Sequence, residues 1–219
     1  MNVGLWFDLA FRRRVREQIK ALGPWYQQQM LLPGVWTRPW NQATIGELIH
    51  AERGAPKFRR FILPLIKPYL KGATVLELGC NAAHNLVLAL RAGAAEVWGV
   101  EPEERYRRQA TLARQCLGLQ GRITVSDRIP LGDRDKRTFD IGLLCAVLRH
   151  IPESERTASL ECMGQLCHRV LIQGSGLKDA PDGDSVESIL GYIRQTTLQV
   201  EDLRSEPHVR GLRILLRSP

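Results

Sequence analysis

The stretch TVLELGCNAAHN, residues 74 to 85, has the pattern of a buried β-strand that runs into a tight turn and then into a helix. Thr74 to Leu78 are apolar or β-favouring for the most part, and Gly79 begins a turn of small residues. Dinucleotide-binding folds place G-x-G-x-x-G at this point, because the backbone must approach a pyrophosphate closely. Gly79 is the one glycine of this turn, so we expect a ligand without a pyrophosphate.

Short β-like runs alternate with helical segments from this stretch to the end of the chain. Strands are predicted at 74–79, 96–101, 122–126, 139–147, 169–174, 197–202 and 211–217. Helices are predicted between them at 83–92, 103–118, 153–167 and 184–196. The last two strands leave no room for a crossover helix, so they should form an antiparallel hairpin. The predicted fold is α/β: a Rossmann-like seven-stranded sheet, mostly parallel with a C-terminal antiparallel hairpin and flanked by helices.

The region before the sheet has a different pattern. Residues 1–72 are predicted to form a helical and aromatic extension, a candidate substrate lid or cap, and residues 73–219 the core domain. The segment 5–22 has the spacing of an amphipathic helix, with Leu9 on its apolar face and arginines on the other faces. A Trp-rich loop follows, and two further helices are predicted at 46–53 and 57–69.

Composition and charge limit the class of protein. The 219 residues are 44% hydrophobic and 25% charged, as in a globular protein with a single α/β core. No apolar run approaches the roughly 18 residues that cross a bilayer, and no signal sequence is evident, so we expect a cytoplasmic protein without a membrane partner. The net charge of +8 is compatible with RNA as a partner, although surface arginines also serve solubility alone.

The five cysteines give no framework for a disulfide or zinc site. They are odd in number and contain no C-x-x-C pair, so reduced core thiols and no metal are expected. The sequence has no signal for an oligomeric state.

An acidic residue closes the second predicted strand. Glu101 lies 22 residues after Gly79, close to the spacing at which ribose-binding folds place an acid that accepts both ribose hydroxyls. The turn and the acid together indicate a nucleoside site.

The turn itself, residues 77 to 83, resembles the acidic-x-Gly-x-(Gly/Asn)-x-Gly turn of class I S-adenosylmethionine-dependent methyltransferases. The resemblance covers about residues 73 to 218, although Ala83 stands where the family has its last glycine. It implies S-adenosyl-L-methionine as the cofactor, which has no phosphate. It also implies main-chain contacts to the methionine moiety around Gly79, Cys80 and Asn81, with Glu77 orienting the ammonium group. The alternative for Glu77 is an isolated side chain at a strand end.

The same resemblance implies cofactor contacts at the ends of the neighbouring strands. Glu101 and Pro102 would lie at the ribose, Asp127 and Arg128 at the adenine, and Cys145 beside the methionine arm. The alternative for Asp127 is a strand-end cap, because Ser-Asp is also common in turns.

Candidate catalytic residues follow the fourth predicted strand of the core. His150 is placed to accept a proton from a nucleophile, and Arg149 to meet a carboxylate as a bidentate partner. The alternative for His150 is packing of the loop. Methyl transfer is an in-line displacement in which positioning supplies most of the rate, so no obligatory catalytic residue is expected.

The segment WYQQQMLLPGVWT, residues 25 to 37, is similar to the W-Y-H-x-I-x-L-x-x-G-V-x-T segment of the wobble-uridine tRNA (mo5U34) methyltransferase-like family. Gln27 replaces the family histidine, and Arg149 replaces a tyrosine that helps related carboxymethyltransferases hold a carboxylated cofactor. Ordinary methyl transfer is therefore favoured over carboxymethyl transfer.

The aromatic residues of this segment are candidate substrate contacts. Trp25, Tyr26, Trp36 and Thr37 are predicted to line a substrate lid, together with Trp40. The alternative is that the aromatic side chains anchor the N-terminal helix on the core.

Three functions are compatible with these observations. The first is methyl transfer to a small-molecule acceptor, such as a natural-product intermediate or a sugar. The second is methylation of RNA or tRNA at a modified uridine, supported by the family likeness and the positive charge. The third is a non-catalytic, methyltransferase-like binding protein, motivated by Ala83 and the lost family residues.

Overall fold

The computed structural model describes residues 8–37, 58–129, 137–174, 185–206 and 211–219. The predicted helix at 46–53 and Trp40 lie outside these ranges. The strands β1 to β9 are Met30–Leu32, Val35–Trp36, Thr74–Leu78, Glu96–Val100, Ile123–Ser126, Phe139–Cys145, Cys167–Gly174, Gln199–Glu206 and Gly211–Arg217. The α-helices α1 to α6 are Leu9–Ala21, Leu63–Leu70, His84–Arg91, Glu104–Cys116, Glu153–Leu166 and Val186–Ile193.

The central sheet has seven strands in the order β5-β4-β3-β6-β7-β9-β8. Strands β3 to β7 are parallel, and β9 runs antiparallel to both β7 and β8. This confirms the predicted Rossmann-like sheet and its C-terminal hairpin. The strand order reverses beside β3, whose neighbours are β4 and β6, and open α/β sheets bind ligands at the carboxyl ends of strands around such a point.

Both faces of the sheet are buried. Val75, Leu143 and Leu171 belong to one core cluster, which α2 and α3 cover, whereas Leu144 and Ile172 belong to a second cluster with side chains of α5 and α6. Successive side chains of a strand point to opposite faces, so the adjacent buried apolar residues of β3, β6 and β7 serve both clusters. Each fully buried Val, Leu or Ile contributes about 1.5–3 kcal/mol relative to exposure.

Several element boundaries differ from the sequence prediction. Strand β6 ends at Cys145 because Ala146 has a left-handed backbone with a φ of 57°, and a short 3-10 helix, Leu148–His150, follows. The predicted helix at 57–69 is a π-helical turn, Phe58–Ile62, followed by α2. Pro64 lies in the first turn of α2, where its missing amide costs little.

The N-terminal segment contains a β-hairpin where the sequence analysis predicted a loop. Strands β1 and β2 pair around Gly34, whose φ is 69°, and the signal was a Pro-Gly turn between two apolar runs. In α1, Val15 and Ile19 are buried, but Leu9, which was predicted on the apolar face, is exposed. It is the first residue of the helix, directly after the N-cap Asp8.

A third core cluster joins the N-terminal segment to the rest of the molecule. It combines side chains of α1, the hairpin and α4 with Ala82 from the turn after β3. On α4, the buried Gln109 donates through Nε2 to the carbonyl oxygens of Leu22 at 3.2 Å and Pro24 at 3.1 Å. The segment therefore packs directly on the turn that the sequence assigns to a ligand. No helix in the described ranges is long and apolar enough to cross a membrane.

Candidate functional site

The turn after β3 is held in a conformation that few residues adopt. Gly79, Asn81 and Ala83 all have left-handed backbones, with φ values of 68°, 51° and 60°. The amides of Gly79 and Cys80 both donate to the Val100 carbonyl oxygen, at 2.8 and 3.1 Å. A Cβ on Gly79 would lie 2.7 Å from Val147 Cγ2, so position 79 requires glycine for space as well as for φ. Both amides are therefore satisfied within the protein. The Cys80 carbonyl oxygen is satisfied as well, because it accepts from the Ala83 amide at 2.9 Å.

Glu101, which directly follows β4, ties this turn to the next loop. Its Oε2 accepts from the Asn81 amide at 2.9 Å, and its Oε1 accepts from the Glu103 amide at 3.0 Å. The side chain is buried. An ionised carboxylate has about four lone-pair positions, so about two stay available for donors on a ligand.

Glu77 on β3 is the second buried carboxylate at this point, with only 2% of its surface exposed. Asn85 Nδ2 donates to Glu77 Oε1 at 2.7 Å, whereas Oε2 has no hydrogen-bond partner within the described residues. Burial raises the pKa of Glu77 to about 8; the Asn85 hydrogen bond opposes this shift, and the charge of Glu101 adds to it. Asn85 was not among the predicted site residues, although it lies just after the turn.

The Cys80 side chain points into the sheet. A Cβ on Gly99 would lie 2.3 Å from Cys80 Sγ, so the thiol fills the space above that glycine. Burial, followed by the nearby charges of Glu77 and Glu101, raises the pKa of the Cys80 thiol well above its usual range. The thiol is therefore not placed to contact a ligand, and the main-chain contact expected at Cys80 stays a prediction.

The predicted adenine-side residues lie at the end of β5 and in the following loop. Asp127 and Arg128 are both exposed, with Arg128 Nε 3.9 Å from Asp127 Oδ1, and such pairs contribute little to stability. Pro102 follows Glu101 directly, and its carbonyl oxygen accepts a hydrogen bond from Arg107. The structure thus brings these residues to the same sheet edge as Glu101.

The predicted catalytic residues lie just beyond β6. Cys145 is half-buried at the strand end, and the short helix that follows carries Arg149 and His150. Arg149 Nε donates to His150 Nε2 at 3.1 Å, so this ring nitrogen acts as an acceptor. His150 must release Arg149 before that nitrogen can accept a proton from a nucleophile.

The predicted substrate residues divide into two groups. Trp25 is buried and donates through Nε1 to the Ile19 carbonyl oxygen at 3.0 Å, which is the anchoring position given as its alternative. Thr37 is also buried, and its hydroxyl accepts from the Gln29 amide at 2.9 Å and thereby closes the hairpin. Tyr26 and Trp36 are partly exposed, so they keep the accessibility that a substrate contact requires.

One buried histidine at this site was missed by the sequence analysis. His84 is the first residue of α3, is 4% exposed, and has no hydrogen-bond partner at either ring nitrogen within the described residues. Burial lowers its pKa to about 4, and the charge of Arg91 adds to the shift. A lone histidine after a turn is not a sequence signal for burial, because the burial depends on what the fold packs over it.

Comparison with known proteins shows which proteins this chain is similar to. No protein-family model matches the chain. It is 26% identical over 166 residues to a tRNA U34 carboxymethyltransferase of Idiomarina loihiensis, covering 73% of this chain and 41% of the relative. The enzyme of the same name from Proteus mirabilis is 27% identical over 208 residues, covering 90% of this chain and 56% of the relative. The chain thus spans about half the length of the curated relatives it matches.

Solved structures support the same class. The N-terminal domain of EvdMO1 with S-adenosylhomocysteine (SAH) bound matches with a TM-score of 0.68 at 17% identity, covering 95% of this chain and 97% of that domain. Magnesium protoporphyrin IX methyltransferase from Synechocystis with bound SAH matches with a TM-score of 0.62 at 14% identity, covering 95% and 96%. The chain therefore has the class I methyltransferase fold. This confirms the resemblance to S-adenosylmethionine-dependent methyltransferases drawn from its sequence.

Proposed function

We propose that this chain binds S-adenosylmethionine and transfers its methyl group to a small-molecule acceptor of a natural-product or sugar-like kind. The observation that carries the proposal is the pair of buried carboxylates, Glu77 and Glu101, at the ends of adjacent parallel strands. No ion pair among the described residues involves either carboxylate. Buried carboxylates call for donors or a positive charge, and a ligand can bring both.

The residues present fit this cofactor. Glu77 Oε2, which is buried and without a partner in the described part of the chain, suits the ammonium group of the methionine moiety. The remaining lone pairs of Glu101 suit the two ribose hydroxyls, and Asp127 lies at the same sheet edge for the adenine. When bound, the sulfonium of the cofactor supplies an electrophilic methyl group.

The chain's own residues contribute mainly position. The turn after β3 is fixed by Val100 and Val147, and it is packed from outside by the N-terminal segment through Ala82. A rigid turn holds its ligand in one orientation, which suits an in-line displacement. His150 serves as a proton acceptor only after Arg149 has moved away from Nε2.

A small acceptor is favoured by the structural comparisons. One match is the N-terminal domain of EvdMO1 in the presence of SAH and D-fucose, with a TM-score of 0.61. Another acts on magnesium protoporphyrin IX, according to its name. The exposed side chains of Tyr26 and Trp36 are then candidate walls of the acceptor pocket.

The second candidate function is methylation of tRNA. The curated relatives bear the name tRNA U34 carboxymethyltransferase, and α1 exposes Arg13, Arg14 and Arg16 along one segment. Arginines of this kind contact phosphates without reading sequence. The replacement of the family tyrosine by Arg149 favours ordinary methyl transfer in this case too.

Cofactor binding and the identity of the methyl acceptor are tested in separate experiments. Calorimetry with S-adenosylmethionine is expected to give saturable binding, and its absence at millimolar cofactor would leave only a non-catalytic binding protein. Transfer of labelled methyl groups to bulk tRNA at low salt, lost steeply as salt rises, would support the RNA acceptor. Labelling of hydroxylated small molecules, with tRNA left unlabelled, would support the small-molecule acceptor.

A further inference from the structure

Strand β8 forms one edge of the central sheet. It pairs with β9 on its inner side, and its outer side has no partner strand among the described residues. From Gln199 to Ser205 its side chains are exposed, except for the half-buried Asp202. The strand contains no lysine or proline, which often block such an edge. The unpaired N–H and C=O groups of β8 are therefore open to a further strand.

Two apolar side chains of β8 face solvent beside the second core cluster. Val200 is 47% exposed and Leu203 is 42% exposed. Val200 lies opposite Leu216 and Leu203 opposite Ile214 on β9, and both of these partners belong to the second core cluster. Because directly opposite residues share one face of a sheet, Val200 and Leu203 extend this apolar face to the sheet edge. A strand that paired with β8 would cover part of it.

Charges of opposite sign flank Leu203 along the strand. Arg204 Nη2 donates to Asp202 Oδ2 at 2.8 Å, and the two side chains are 50% and 33% exposed. They lie on the face opposite to Leu203, because successive side chains of a strand alternate. An exposed ion pair of this kind contributes little to stability, so exchanging its members for those of another chain costs little.

The order of these three residues is complementary to itself. When two copies of a strand pair antiparallel about a two-fold axis, the axis passes between one residue and the same residue of the other copy, because the two kinds of pair alternate along the ladder. An axis at Asp202 or at Arg204 sets like charges directly opposite each other, which is destabilising. An axis at Leu203 sets the two leucines together and Asp202 of each copy against Arg204 of the other.

We propose that two copies of this chain associate through β8, with the strands antiparallel and the two-fold axis at Leu203. The two central sheets then form one continuous sheet, with two Asp202–Arg204 ion pairs between the chains. Strand β8 lies four strands from β3, roughly 19 Å at about 4.8 Å per strand, so the proposed cofactor sites stay open and the inference does not depend on the proposed function. One pair of edge strands buries less area than a standard interface, so we expect a weak dimer with a micromolar dissociation constant.

Self-association is measured by sedimentation velocity of the whole chain at about 2 to 200 µM. The wild type should show a monomer–dimer equilibrium in this range. Asp202→Arg and Arg204→Asp each set like charges against one another twice across the axis, so each should weaken self-association by at least about tenfold. A wild type that stays monomeric over the whole range would overturn the proposal.

A mixture of the two variants tests the pairing itself. Asp202→Arg carries two positive charges around Leu203, and Arg204→Asp carries two negative charges, so an equal mixture should form heterodimers at least as tight as the wild-type dimer. An effect of either substitution within its own chain does not produce this rescue. Single variants that dimerise like the wild type, or a mixture that does not associate, would overturn the proposal.

Control variants separate this interface from general effects on folding and charge. Arg13→Asp breaks the exposed Arg13–Glu17 pair of α1, 3.0 Å long, and should leave self-association unchanged. A cooperative urea transition with the wild-type midpoint shows that a variant is folded. Should a charge variant fail to fold, Leu203→Ser decides, because it removes the apolar contact at the axis and should weaken the dimer several-fold. A dimer that Leu203→Ser leaves intact would place the interface elsewhere and refute the proposal.

Discussion

The Glu101 carboxylate accepts the main-chain amide of Asn81 at 2.9 Å, so the acid that follows β4 holds the turn that follows β3. The residue proposed to bind the ribose is thus also a structural clamp on the residues proposed to surround the methionine moiety. Loss of the carboxylate should affect both functions at once.

Glu101→Gln is expected to weaken binding of SAH by at least about tenfold. In the variant, the side-chain NH2 must face the main-chain N–H of either Asn81 or Glu103, so one of these donors loses its acceptor. The ribose hydroxyls also lose an acceptor, and each such loss costs about 1–3 kcal/mol of binding or folding free energy. The matched control is Glu103→Gln, because the exposed Glu103 contributes only its main-chain amide. An unchanged affinity in Glu101→Gln would contradict the placement of the ribose.

The raised pKa of Glu77 predicts that cofactor affinity depends on pH. The carboxyl holds its proton below about 8 in the free protein, and it must ionise to meet an ammonium group. Affinity for SAH measured by calorimetry should therefore rise between pH 6 and about pH 8, with release of a proton. Glu77→Gln should bind more weakly and lose this rise; a wild-type affinity that is flat with pH would count against the contact.

Glu77 and His84 are predicted to shift stability with pH in opposite directions. Glu77 has a pKa raised from 4.5 to about 8, so the folded state binds the extra proton and stability falls as pH rises through that window. His84 has a pKa lowered from 6.5 to about 4, so the unfolded state binds the extra proton and stability falls as pH drops through that window.

The pH ranges over which Glu77 and His84 affect stability overlap between about pH 4.5 and 6.5. In that range each group changes the free energy of unfolding by about 1.4 kcal/mol per pH unit, and the two opposite changes cancel in the wild type. Urea unfolding of Glu77→Gln should show stability that falls towards acid, and His84→Phe stability that rises towards acid. The double variant should show neither trend. If the wild type, the two single variants and the double variant all showed the same dependence of unfolding free energy on pH, neither Glu77 nor His84 would have the shifted pKa that burial gives it.

The left-handed residues of the turn should respond differently to substitution. Gly79→Ala combines a φ of 68° with a methyl group 2.7 Å from Val147 Cγ2, so we expect a loss of more than about 2 kcal/mol in urea unfolding. Ala83→Gly relieves the strain at φ 60° but removes a buried methyl and loosens the unfolded chain, so the net change should stay within about 1 kcal/mol. Equal effects at both positions would contradict this account of the turn.

The sequence predicts the sheet well because its signal is local. Short buried runs such as Val170 to Ile172, separated by helical segments, indicate a parallel sheet, and the short link before Gly211 indicates the hairpin. The hairpin at Gly34 was missed because Trp and Pro in its sequence were taken as loop signals, although they flank a turn between buried residues.

The candidate site was predictable only where a motif specifies it. Gly79 and Glu101 follow from strand ends and spacing, and Glu77 from the resemblance to the methyltransferase turn; the structure brings the three together. His84 lies at a position whose burial depends on packing between distant segments, and no local pattern reports it.

The most direct test of the central claim is a crystal structure of the protein with bound SAH. The account predicts the ammonium nitrogen within hydrogen-bond distance of Glu77 Oε2 and both ribose hydroxyls on the Glu101 carboxylate. A nucleoside bound elsewhere, with these two carboxylates unchanged and unoccupied, would contradict it.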